Sequence, residues 1–224
     1  MQIIWHGQSC FELIIAKGKG EHITVLMDPL NEAKTGLKFS KTDAQVVLLT
    51  NHAYTADQSD IKKAAAGAFV IDGPGEYEIK DIYIRGIDSN FGKTAEALAQ
   101  AGKEGSVIYT IETEEMKLCH LGNLKEAELT QGQIEKIGNI DVLMFPVGDG
   151  QKIGAKDALK IVSQIEPSIA IPMNYEIPKL KLDAGNLKEF LKAAGVGQLE
   201  PLPKLTIKKK EIAAEEAKII VLTP

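Results

Sequence analysis

Cysteine is scarce. Cys10 and Cys119 are the only two in 224 residues, too few for a disulfide framework. They read as small buried apolar residues in a reducing compartment, taken here as the cytoplasm. Long apolar runs are absent too. None approaches the ~20 residues that span a bilayer, so no membrane association is expected. The opening Met1-Gln2-Ile3-Ile4-Trp5 has no basic stretch and runs straight into a strand pattern, which speaks against a signal peptide. Positive charge is not in excess: 26 Lys+Arg stand against 31 Asp+Glu, a net charge of −5. That balance argues against general nucleic-acid binding. The one basic run, Lys208-Lys209-Lys210, is followed by Glu211, Glu215 and Glu216 and reads as a solvated strand or turn. No spacer rich in Ser, Pro or Gly divides the chain, so residues 1–224 are expected to form a single domain.

What is present is a succession of short apolar strands. Met1–Trp5 and Phe11–Ile15 flank the polar turn His6-Gly7-Gln8-Ser9. His22–Met27 stops at Asp28-Pro29. Gln45–Thr50 carries Val46-Val47-Leu48-Leu49, too uniformly apolar for a surface strand. A short helix is expected over Asp57–Ala66, then a strand at Ala68–Asp72 closed by the turn Gly73-Pro74-Gly75. That turn lacks the strand–helix context of a phosphate loop. Glu76–Ile79 and Asp81–Ile87 read as a strand pair. Residues 91–105 are Gly- and Ala-rich and read either as a surface connection or as an insertion over a cleft.

Further strands are expected at Ser106–Glu112, Lys117–Leu121, Asp141–Pro146 and Ile169–Pro172. Helices are expected at Thr130–Ile137, Ala155–Gln164 and Leu187–Ala193. Thr206–Ile212 and Ala217–Leu222 read as a final strand pair. Short turns join many successive strands. The pattern therefore fits an α+β or α/β sandwich, in which helices cover two packed sheets, better than an all-parallel wound sheet.

Polar loops at strand ends are where sites form in sheet-based folds. Several segments here, taken in order, are similar to those of one family. Trp5-His6-Gly7-Gln8-Ser9-Cys10-Phe11 resembles W-x-G-H-S-C-F, and Leu26-Met27-Asp28-Pro29 resembles L-x-D-P. Gly73-Pro74-Gly75-Glu76-Tyr77-Glu78-Ile79 resembles G-P-G-E-Y-E-V, and His120-Leu121-Gly122-Asn123-Leu124 resembles H-L-G-D-L. Asp141–Gly148 resembles D-V-L-x-x-P-V-G, and Ile171-Pro172-Met173-Asn174-Tyr175 resembles I-P-M-H-Y. On these segments the chain resembles the zinc-dependent-hydrolase-like branch of the metallo-β-lactamase superfamily, across nearly its whole length. The resemblance implies a four-layer αβ/βα sandwich with a metal cleft at one edge of the packed sheets.

The family signature H-x-H-x-D-H follows the fourth strand and supplies imidazoles and a carboxylate to zinc. Anchored on Leu49-Thr50, those positions are Asn51, Ala53, Thr55 and Ala56. One register later they are His52, Tyr54, Ala56 and Asp57. Aligned from the other end they are Ala53, Thr55, Asp57 and Gln58. Asn123 and Asn174 stand where the family has Asp and His, and Gln8 stands where W-x-G-H has His. Neutral amides bind zinc poorly beside imidazole and carboxylate.

The expectation that follows is a family member whose zinc-ligand motif is lost. It would carry no metal cofactor and not be a zinc hydrolase, but a ligand-binding or non-catalytic protein. Its remnant cleft would be lined by Gln8, Asp28, Asn51, His52, Asp57, Gln58, Glu76, His120, Asn123 and Asn174. The alternative is a metal-dependent hydrolase with a rearranged mononuclear site. There His52, Asp57 and His120 would hold one zinc or other divalent ion, with Glu76 or Asp72 as base. A small polar ligand is the expected partner, and the family suggests a homo-oligomer.

Each residue also has a plainer reading. His120 would be a core or cleft-wall histidine bonded to backbone, and His52 a surface-loop residue. Asp28 would brace the loop after the fourth strand. Glu76 and Glu78 share a face, either as an acid–base pair or as an exposed edge. Ser9 has no His–Asp partners in the sequence to make it a nucleophile.

Overall fold

The computed structural model describes residues 1–50, 61–62, 64–90, 93, 106–124, 126–148, 153–212 and 217–224. Antiparallel hairpins open the first sheet. β1 (Gln2–Gly7), β2 (Cys10–Gly18) and β3 (Glu21–Met27) form a meander. β4 (Val46–Leu48) and β5 (Phe69–Ile71) then add in parallel. Between β3 and β4 lies α1 (Glu32–Thr35), where the Asn31 side chain accepts from the Lys34 N–H and Gly36 closes the turn at φ 75°.

The second sheet repeats the scheme. β6 (Gly75–Ile79), β7 (Ile82–Asp88), β8 (Val107–Thr113) and β9 (Met116–His120) are antiparallel. β10 (Val142–Pro146) and β11 (Ile169–Met173) continue from β9 in parallel. Lys80-Asp81 and Glu114-Glu115 make the two tight hairpin turns, with φ between 49° and 61° at all four residues. Two consecutive positive φ values match the strand twist, which is why such turns close hairpins.

The C-terminal segments depart from expectation. β12 (Leu205–Thr206) pairs with β1 and β13 (Lys218–Ile219) with β11, so each extends a different sheet. The final orders are β12-β1-β2-β3-β4-β5 and β13-β11-β10-β9-β8-β7-β6. Two adjacent strand-like segments suggest a hairpin by proximity, yet both sheets had an open edge that the tail could cover.

Alternation of side chains explains the layers. Along β4, Val46 and Leu48 join the large core between the sheets, while Val47 points to a second apolar layer. That layer also holds Cys10, Leu26, Leu30, Leu37, Ile61 and Ala64. Residues 61, 62 and 64 are helical; the rest of the helix expected at 57–66 lies outside the described residues, as does nearly all of 91–105.

Three helices follow in the second half. The first, α2 (Gln131–Ile137), starts with a capping box in which Thr130 and Gln133 satisfy each other's backbone N–H. α3 (Ala155–Ile165) buries Ala158, Ile161 and Ile165 at helical spacing. At α4 (Leu187–Ala193), Asn186 caps the Lys188 and Glu189 N–H groups and Phe190 packs on Phe145 at 5.3 Å. Among the described residues no helix is long and apolar enough to cross a membrane. The lysine run forms a turn in which Lys209 Nζ pairs with Asp141 Oδ1 at 2.7 Å.

Candidate functional site

The ends of β3, β4, β9 and β11 meet the β1–β2 turn at one edge of the sandwich. Asp28 follows β3 at φ 45° and is buried. Its N–H donates to the Leu48 carbonyl at 2.9 Å. Its carboxylate accepts from the Thr50 N–H at 2.7 Å and the Thr50 hydroxyl at 2.5 Å. The Ser9 hydroxyl also bonds to it. Asp28 thus holds the first residue of the loop after β4, as a brace does. The Thr50 carbonyl in turn accepts from the Val107 N–H at 2.8 Å, which stitches that loop to the second sheet. The Tyr109 hydroxyl makes a parallel tie, 3.1 Å from the Leu49 carbonyl and 3.2 Å from that of Ile71.

Burial raises the Asp28 carboxyl from 3.8 to about 6, against the lowering effect of the Thr50 N–H and of the Thr50 and Ser9 hydroxyls. The native state therefore binds this proton more tightly than the unfolded chain. The stability that follows is complete below pH 3.8 and is lost as pH rises through about 6. Asp28→Asn is expected to gain thermal stability over the parent progressively between pH 4 and 7. Paired melting curves across that range check this, and a difference that does not change with pH would refute it.

His120 closes β9 and is fully buried. Its Nε2–H donates to the Ser9 carbonyl at 2.9 Å, and its Nδ1 accepts from the Gly122 N–H at 3.2 Å. Phe11 lies edge-on to the ring at 5.7 Å. Burial lowers the imidazole from 6.5 to about 4, so the ring is neutral and both nitrogens are occupied. His120 is thus the cleft-wall histidine bonded to backbone, not the metal ligand of the alternative reading, and it pins the second sheet to the β1–β2 turn. Nor is there a serine triad, because the ring bonds the Ser9 carbonyl while the Ser9 hydroxyl serves Asp28.

The other expected residues divide. Asn174 follows β11 at φ 56° and is 6% exposed. Its Nδ2 lies 3.4 Å from Asn123 Oδ1, while its own Oδ1 is buried without a partner. The Gln8 carbonyl accepts from Trp5 Nε1 at 2.7 Å, and Trp5 packs tilted against Tyr175 with ring centres 4.6 Å apart. The turn bearing Gln8 therefore reaches the loop bearing Asn174. Gln8 Nε2 is likewise buried without a partner.

Glu76 does not join them. It pairs with Arg85 at 2.9 Å, exposed on the outer face of β6, opposite the partly buried Tyr77 and Ile79. Asp72 is exposed as well. Asn51, His52, Asp57 and Gln58 lie outside the described residues.

Sequence reasoning missed Thr50 and Ser9, the two partners of Asp28. The Asp-Pro strand end signalled a brace, but nothing local identified what it braces.

The described donors in place at this edge do not by themselves make a cation site. Among the described residues no group of three His, Cys, Asp or Glu converges. The Asn174 amide oxygen is an open acceptor at this edge, but one uncharged oxygen does not fit a dication without further donors.

A family model, the beta-lactamase superfamily domain, matches residues 2–174. A protein of Methanopyrus kandleri named a metal-dependent hydrolase is 26% identical, covering 88% of this chain and 94% of its own length. A Thermoplasma volcanium protein of the same name is 29% identical, covering 92% and 96%. Among solved structures, a Thermotoga maritima protein named a Zn-dependent hydrolase of the metallo-beta-lactamase superfamily superposes with TM-score 0.74 at 27% identity. That match covers 99% of this chain and 97% of the other. A Veillonella parvula protein shares the fold at TM-score 0.64 and 14% identity, over 92% and 99% of the two chains.

These relatives overturn two expectations: that the chain carries no metal cofactor, and that it is a non-catalytic member with a lost zinc motif. The error has a physical root. Loss of several family ligands together removes a binuclear site, but a mononuclear one needs only three protein donors and an open position.

Proposed function

Because this chain belongs to the beta-lactamase superfamily domain family, we propose that it is a metal-dependent hydrolase with a mononuclear site at the edge where β3, β4, β9 and β11 end. The observation that carries this reading is a pair of buried, unsatisfied atoms of opposite character at that edge, Asn174 Oδ1 and Gln8 Nε2. An orphaned buried polar atom costs about 1–3 kcal/mol, a cost that a polar group seated at this edge would relieve. An acceptor suits a cation and a donor suits a substrate oxygen.

His52 and Asp57, which follow β4 in the sequence, are the imidazole and carboxylate that this reading assigns to the ion. A bound divalent cation would polarise a carbonyl or phosphoryl oxygen and acidify a water. The chain's own residues do the rest. Asp28 and Thr50 fix the start of the ligand loop. Gln8 orients a substrate oxygen through its free N–H. His120 keeps the two walls in register as a neutral bridge. The buried free thiols Cys10 and Cys119, in separate apolar layers, support a reducing, cytoplasmic setting.

The test is hydrolysis of a phosphodiester, lactone and thioester panel by metal-loaded protein. His52→Ala and Asp57→Asn are expected to lower turnover about a hundredfold or more with unchanged melting temperature in the metal-free state. Activity indifferent to both substitutions would remove the proposal.

A further inference from the structure

We infer that the free edge of β5 is the contact through which two copies of this chain pair, strand against antiparallel strand, about a two-fold axis at Val70.

The sheet edges are guarded unequally. Among the described residues the two sheets end on β12, β5, β13 and β6. An edge strand offers unpaired N–H and C=O groups to any other strand, and proteins blunt it by shortness, charge or proline. β12 and β13 are two residues long. β6 follows Pro74 and exposes Glu76 and Glu78. β5 is longer than the tail strands, and the run Ala68-Phe69-Val70-Ile71 holds neither charge nor proline. Phe69 is 55% exposed and Val70 39%, the one adjacent pair among the exposed large apolar residues described. A strand laid over them would take that apolar surface out of water.

The backbone specifies a strand as the cover. The Phe69 N–H donates to the Gln45 carbonyl and the Ile71 carbonyl accepts from the Leu49 N–H, both at 2.9 Å. Successive residues of a strand aim these groups to opposite sides, so those of Val70 point away from β4.

Charge selects which strand. Lys41, Asp43 and Lys80 line one hollow with Phe69, beside the start of β5. Asp72, exposed, follows its end. The edge thus runs from a net positive end to a negative one across an apolar centre. Antiparallel pairing of two copies sets Val70 opposite Val70 and Ala68 opposite Asp72, so each lysine end meets Asp72 of the second copy. A two-fold axis requires one patch to complement itself, and this one does so in hydrogen bonds, apolar contact and charge.

The experiment measures the mass of the full chain by light scattering and sedimentation from about 1 to 100 µM, where a dimer is expected. Val70→Pro removes an N–H that points outward, and an edge strand tolerates proline there. It should weaken the dimer about thirtyfold or more while circular dichroism shows the sheets intact. Phe69→Lys, at an exposed side chain, should do the same, and it decides the matter if Val70→Pro does not fold. Val70→Cys should link two copies on mild oxidation, because Cys10 and Cys119 are buried and directly paired strand residues stand about 5.5 Å apart, within disulfide reach.

A chain that stays monomeric throughout overturns the inference, even if β5 takes up an extended peptide from another source. So does a dimer that both folded variants leave unchanged and that Val70→Cys does not link, since its contact then lies on another face.

Discussion

His120→Ala is expected to destabilise the protein by about 3–5 kcal/mol at pH 7. The substitution empties a fully buried ring site between the sheets. It also leaves the Ser9 carbonyl and the Gly122 N–H without their partners. Cavity and orphaned groups add, because neither can relax by reaching water. His120→Gln, which keeps a polar side chain at the site, should recover part of the loss. Urea titrations of the three proteins at pH 7 measure it. Equal stability of parent and alanine variant would mean that the bridge contributes nothing.

The same residue sets a pH signature. Its proton affinity is depressed in the fold, from 6.5 to about 4. Stability from the neutral ring is therefore complete above pH 6.5 and lost as pH falls toward 4. Asp28 runs the other way over much of the same window, gaining as pH falls. The two offset in the parent protein. His120→Gln should leave a chain that becomes more stable on mild acidification, the opposite of Asp28→Asn.

Gly122→Val is the second large effect. Gly122 has φ 60°, and a Cβ there would stand 2.5 Å from Thr50 Cβ and 2.6 Å from Thr50 Oγ1. Thr50 cannot yield, since Asp28 holds its N–H and its hydroxyl. Left-handed strain and overpacking together predict a loss of about 2–5 kcal/mol. Gly20 is the control: it has φ 83° but nothing within 4 Å, so Gly20→Ala should cost only the backbone strain, about 1 kcal/mol. The test is the difference between the two in chemical denaturation. Similar small losses would show that the Thr50–Gly122 contact is not tight. The proposed hydrolytic activity should fall with Gly122→Val and not with Gly20→Ala, because only the first displaces Thr50.

Strand periodicity carried most of the fold. The uniformly apolar Val46–Leu49 run and the short apolar runs of β1 to β3 are burial patterns written locally, and β4 and the first hairpins lie where they place them. The tail was not legible. Thr206–Ile212 and Ala217–Leu222 have strand composition, but which sheet each joins depends on which edges are open, and an open edge exists only in the assembled sandwich. The site divides the same way. The Asp28-Pro29 strand end announced a brace, and the Asn residues after β9 and β11 stood out against the family pattern. That His120 spends both nitrogens on backbone was invisible, because its partners are a turn over a hundred residues away and the glycine two residues on.

By itself the sequence determined the strand inventory, the family resemblance and the replacement of imidazole and carboxylate by amides, since all three are properties of residue type and spacing. Tertiary structure alone decided that Glu76 faces Arg85 outside the cleft and that Thr50 is locked by Asp28. It also decided that Asn174 keeps an oxygen with no partner. Whether a polar group is satisfied depends on neighbours that only packing brings within 3.5 Å.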